Sequence, residues 1–133
     1  MKEKLEPGVF RERLECRTRK FAIDVFRMID KLPQANSTRV IAHQLGKSAS
    51  SIGANYREAN RGESREDFGH KVQIVVKEAS ESCYWLEILL ELNPNRELIN
   101  GLLSECEELR NLFQSIAKSV RAKPARVHNH SNN

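Results

Sequence analysis

The chain has 133 residues, a formal net charge of +4, 39% hydrophobic and 30% charged residues, enough for one sizeable core and too little for two. Only 6 Gly and 4 Pro argue against a turn-rich sandwich or barrel. The mild basicity permits contact with a polyanion without demanding it, because many solvated surfaces carry as much.

In chain order, the first element is a polar lead-in over residues 1–10 containing Pro7-Gly8, expected to be flexible and outside the fold. A helix follows from about Arg11 to Leu32, with Leu14, Phe21, Val25, Met28 and Leu32 on one face, stopped by Pro33. The second helix opens at Asn36 or Ser37, both good caps, and runs to about Asn60. Its apolar stripe is Ile41, Leu45, Ile52, Tyr56 and Ala59, flanked by Gln44, Ser48, Ser51 and Asn55, which need hydrogen-bond partners if half-buried. A short turn, Arg61-Gly62-Glu63, leads to Ser64, a cap with Asp67 three residues on.

The third helix spans about Arg65 to Leu92, with Phe68, Val72, Val75, Ala79, Cys83, Leu86 and Leu90 inward. After Asn93-Pro94, Asn95 is a candidate cap for a last helix bearing Leu98, Leu102, Cys106, Leu109, Phe113, Ile116 and Val120, ending near Arg121. Residues 122–133 contain almost no apolar side chains and are expected to be disordered. Four amphipathic helices joined by short loops predict an all-α, antiparallel up-down-up-down four-helix bundle over residues 11–121.

No apolar run reaches bilayer-spanning length and MKEKLEPGVF lacks an apolar signal core, so a cytoplasmic protein without a membrane partner is expected. Cys16, Cys83 and Cys106 lie in separate helices without CxxC spacing and read as reduced thiols. Bundles can house metal pairs through repeated Glu-x-x-His motifs, but the sequence offers only Asp67-x-x-His70, with His70 on the solvent side. His43 also lies opposite its helix's apolar stripe, and His128 and His130 fall in the tail. Ser48, Ser50 and Ser51 have no evident base and read as helix-packing residues, so no catalysis, metal or cofactor is expected.

Apolar residues outside the predicted stripes carry more information. Tyr84, Trp85 and Ile88 point roughly 160° to 260° from Phe68, and Ile23 and Phe26 leave the Phe21 face in the same way. With the small residues Gly46, Ser50, Gly53 and Ala54 on helix two, they form a candidate oligomer interface; the plainer alternative is that Trp85 and Phe26 widen the chain's own core. Basic residues gather on the first two helices: Arg11, Arg13, Arg17, Arg19 and Lys20, then Arg39, Lys47, Arg57 and Arg61, with Arg65 just beyond. From this set Arg17, Arg19, Lys20, Arg39, Lys47, Arg57, Arg61 and Arg65 form a candidate nucleic-acid surface. A solvated face, or a charge match to the acidic third helix of a neighbouring subunit, are the alternatives. No aromatic residues are interleaved with them to stack bases, which argues against sequence-specific single-strand reading.

Leu32-Pro33, IAHQLGKSASSIGAN from Ile41 to Asn55, and R-x-x-S-x-x-DF from Arg61 to Phe68 resemble a bacterial four-helix-bundle family. That family includes proteins encoded in intervening sequences of large-subunit ribosomal RNA genes. Lys47 stands where relatives usually carry Arg, keeping the charge and losing the planar fork. By the same resemblance the chain is similar to the accessory variability protein of diversity-generating retroelements, which looks like a basic homopentameric barrel that binds a reverse transcriptase and nucleic acid. The resemblance implies a non-catalytic, ring-forming scaffold, pentameric, that binds RNA or DNA through basic residues as an accessory to a reverse transcriptase. The alternative function is a protein-binding adaptor that docks an acidic partner.

Overall fold

The computed structural model describes residues 6–93 and 96–122, which form four helices: α1 (Pro7–Asp30), α2 (Asn36–Asn60), α3 (Arg65–Leu92) and α4 (Arg96–Ala122). Among the described residues there is no strand. Sequential helices pack side by side and α1 closes back on α4, while the diagonal pairs do not pack, as an up-down-up-down bundle requires.

The helix ends correct the sequence reading in two places. Residues 7–10, expected in the lead-in, already belong to α1, which begins at Pro7, while residues 1–5 lie outside the described residues. Proline at the first helical position lacks only an N–H that would have no partner there, and its ring fixes a helical φ. The first i to i−4 bond of the helix follows at Phe10 N, which donates to Glu6 O at 2.9 Å. At α2 neither Asn36 nor Ser37 is the cap: Ala35 holds that position with extended backbone and no side-chain bond. Asn36 is instead the first helical residue, and its Oδ1 accepts from Arg39 Nη2 at 2.9 Å.

Other ends follow the sequence. Ser64 Oγ accepts from Asp67 N at 3.0 Å, and Glu66 and Asp67 sit against the positive end of α3. In the turn before it, Gly62 N donates to Ala59 O, and a Cβ at Gly62 would meet that same oxygen at 3.2 Å. Gly62 is therefore set by space, since no glycine has a positive φ among the described residues. The candidate cap Asn95 and residues 123–133 lie outside the described residues.

The predicted stripes converge on one core. Phe21, Val25 and Met28 of α1 meet Leu45, Ile52 and Tyr56 of α2, Val72, Val75 and Leu86 of α3, and Cys106, Leu109 and Phe113 of α4. Tyr56 and Phe113 meet edge to face with ring centroids 5.1 Å apart, a favoured aromatic geometry. The polar strip on α2 divides. Ser48 bonds across to Ser82 of α3 at 2.8 Å, whereas Ser51 and Asn55 bond back to carbonyls of their own helix. Each hydroxyl also has a carbonyl acceptor one turn back, Leu45 O for Ser48 at 3.3 Å and Glu78 O for Ser82 at 2.9 Å, so one proton of the pair bridges the helices and the other stays within its own.

Candidate nucleic-acid and subunit surfaces

The glycines of α2 face α1 of the same chain. A Cβ at Gly46 would come within 2.9 Å of the Phe26 ring, and one at Gly53 within 3.0 Å of Thr18 Oγ1. Thr18 is buried, its hydroxyl donating to Leu14 O at 3.0 Å, so it cannot move away without losing that bond. Gly46 and Gly53 are thus removed from the candidate oligomer interface: they let α1 and α2 approach. Ser50, whose hydroxyl donates to Gly46 O at 2.8 Å, stays exposed beside them.

Between α1 and α2, Ser50, Gly53 and Ala54 floor a hollow of about 200 Å³ that Arg19 and Arg57 flank from the two helices. Both arginines are exposed, and among the described residues neither has an ion-pair partner. Glu15 also lines the hollow, with its Oε2 held by Asn60 Nδ2 at 2.8 Å. The hollow presents positive charge on a rigid two-helix base, the arrangement that phosphate contacts need.

The other predicted cations do not join this surface. Two residues of helix turn about 200°, so Arg17 faces away from Arg19 and toward α4. Its Nε and Nη2 form a fork on Glu105 at 2.8 and 2.9 Å, and Nη2 also reaches Glu108 at 2.8 Å. Hydrogen bonding to Glu105, against the opposing effect of burial, raises the guanidinium pKa still further. Lys20 pairs with Asp24 at 2.7 Å. Arg39 binds Asn36, and Arg65 donates to Val120 O at 2.9 Å across to the end of α4. Lys47 and Arg61 are exposed, the first close enough to act on Glu78 of α3.

The outlying apolar residues also divide. Phe26 is 47% exposed and Tyr84 56%. Trp85 and Ile88 instead pack against the core and Ile23 is half-buried, so the plainer core-widening reading holds for Trp85 and not for the exposed Phe26, and Ile88 moves from the candidate interface to the core side. Tyr84 is braced edge to face on Trp85, ring centroids 5.2 Å apart, and projects as a fixed knob. Sequence reasoning missed the exposed Val40 and Leu92, and Leu98, expected inward in the α4 stripe, is 38% exposed because it lies at the α1–α4 groove and not in the core.

A groove of about 580 Å³ between α1 and α4 was disclosed by no sequence pattern. Phe21, Met28, Leu98 and Leu102 form its floor, Gly101 leaves a gap in the α4 wall, and Arg27 and Lys31 stand on the α1 rim.

All three cysteines are free. Cys106 donates to Ala79 O at 3.3 Å; its interaction with Cys83, with burial, pushes the thiol up and keeps it protonated. Burial likewise pushes the Tyr56 phenol up, and burial followed by Glu81 raises the Glu78 carboxyl. Among the described residues no three His, Cys, Asp or Glu side chains gather as a metal site, and no helix is long and apolar enough to cross a membrane.

Residues 15–115 match the family of 23S rRNA-intervening sequence proteins. The fold is similar to a crystal structure from Bacteroides thetaiotaomicron, a protein of unknown function from the S23 ribosomal protein family. That likeness has a TM-score of 0.72 and 34% identity, covering 78% of this chain and 97% of the other. No curated protein matches the chain. With the matched segment running from the first turns of α1 almost to the end of α4, the chain belongs to the 23S rRNA-intervening sequence protein family.

Proposed function

We propose that the chain is a non-catalytic scaffold that assembles with copies of itself and binds RNA or DNA without strong sequence preference. The observation that carries the binding is the pair Arg19 and Arg57, unpaired with acids among the described residues, over the small-residue hollow. A phosphate there meets two guanidiniums without displacing an internal salt bridge, and each neutralised phosphate releases counterions. The exposed Phe26 and Tyr84 support assembly, because large apolar side chains on the outer faces of different helices are favourable when a neighbour covers them. Likeness to the accessory variability protein extends the proposal to five copies and to a reverse transcriptase as partner, with the complex in the cytoplasm.

Fluorescence anisotropy with a random-sequence 30-mer RNA across a salt series tests the binding. Affinity should fall steeply with salt, and Arg19→Glu with Arg57→Glu should weaken binding at least tenfold and flatten the log-log slope by roughly 0.7 to 0.9 per lost contact. Absence of binding at low salt would leave the second reading, an adaptor whose Arg19–Arg57 face docks an acidic protein.

A further inference from the structure

The groove between α1 and α4 has a shape and charge that another part of this same chain matches. Its floor is apolar, and on its α1 rim Arg27 and Lys31 have no ion-pair partner among the described residues. Gly101, in the middle of α4, has neither of the usual reasons to be glycine. Its φ is not positive, and a Cβ there would meet nothing within 4 Å. Helix interiors disfavour glycine, so the gap it leaves points to a group that comes close from outside the chain.

The matching element is the outer ridge of α3. Tyr84, Glu87 and Glu91 recur at steps of three and four and share one face. Tyr84 is the exposed knob braced on Trp85, while Glu87 and Glu91 are exposed, Glu91 meeting Arg96 only at 3.9 Å. From Glu81 to Glu91 the ridge rises about 15 Å, and from Lys20 to Lys31 the groove rim rises about 17 Å.

We propose that the acidic, Tyr84-bearing ridge of α3 in one copy seats in the α1–α4 groove of the next. Tyr84 enters the space beside Gly101, and Glu87 and Glu91 lie toward Arg27 and Lys31. The α4 rim carries Glu97, and Glu105 already held by Arg17, while the one acid of the α1 rim, Asp24, is held by Lys20, so the ridge's acids are directed to Arg27 and Lys31. Groove and ridge are different surfaces, which makes the contact heterologous, the kind that closes into a ring when the rotation permits. The inference rests on the self-assembly proposed above and specifies which faces carry it.

Charge reversal and its rescue test it by light scattering at fixed salt. Arg27→Glu with Lys31→Glu, and separately Glu87→Lys with Glu91→Lys, should each weaken association at least tenfold. All four changes in one chain should restore the wild-type mass. Gly101→Leu, which fills the groove where nothing else is touched, should dissociate the assembly without loss of helicity by circular dichroism. Reversed pairs that leave the mass unchanged, or a fourfold variant that stays dissociated, would overturn the contact while leaving self-assembly intact. A wild-type chain at 15.3 kDa would overturn both.

Discussion

Two seams of one bundle are built on opposite terms. Between α2 and α3 the facing residues are small: Ser48 and Ser82 touch hydroxyl to hydroxyl, with Ala49 and Ala79 also buried in the core. Between α1 and α4 the tie is a long arginine spanning to Glu105 and Glu108, and beyond it the helices stand apart over a groove of about 580 Å³. Small residues let backbones approach and leave no surface to offer; an ion pair of long side chains holds helices in register at a distance. The closed seam therefore serves stability, while the open one keeps apolar surface that a neighbour can use.

Matched truncations should separate the seams most strongly. Ile52→Ala, in fully buried surroundings, should cost about 2–5 kcal/mol in urea unfolding, while Leu98→Ala, at the groove and 38% exposed, should cost less than about 1 kcal/mol. Equal losses would mean that the groove is as tightly packed as the core. Added bulk should split them the other way. Ser48→Leu should destabilise by about 1–3 kcal/mol through overpacking, whereas Gly101→Ala should raise stability by about 0.5–1 kcal/mol from helix propensity alone.

Weaker still is the tie across the open seam. Arg17 is about a third exposed, so Arg17→Met should cost about 1 kcal/mol or less and the loss should shrink at high salt, as screening of an accessible ion pair requires. A loss that ignores salt would assign Arg17 a packing role instead.

The smallest effect is a pH dependence. Burial raises the folded-state pKa of Glu78, so the folded protein binds the proton more tightly than the unfolded chain. Stability from this group is complete below the ordinary carboxylate pKa of 4.5 and is lost as pH rises through the higher folded value. Glu78→Gln should therefore raise the Tm slightly at neutral pH, and the difference from wild type should vanish in acid. A constant difference across the series would remove Glu78 as its source.

The sequence made the bundle readable because its four stripes keep helical period throughout, and the Ser64 cap and the Pro33 stop are short-range signals. It did not tell Leu98 from Ile99 or Leu90 from Leu89: both members of each pair satisfy the period, and only the neighbouring helix selects Ile99 and Leu89 for burial. For the same reason Gly46 and Gly53 read as an outer surface until Phe26 and Thr18 were seen against them. The candidate cationic surface was legible in composition and not in geometry. Arg17 and Arg19 are near neighbours in the chain, yet one closes the α4 seam and the other flanks the hollow with Arg57.

Sedimentation equilibrium of the wild-type chain at tens of micromolar most directly tests whether the open seam is an assembly surface. A single species at five times the 15.3 kDa chain mass is the expected result. A species at 15.3 kDa, with Tyr84 and the α1–α4 groove left facing water, would contradict it.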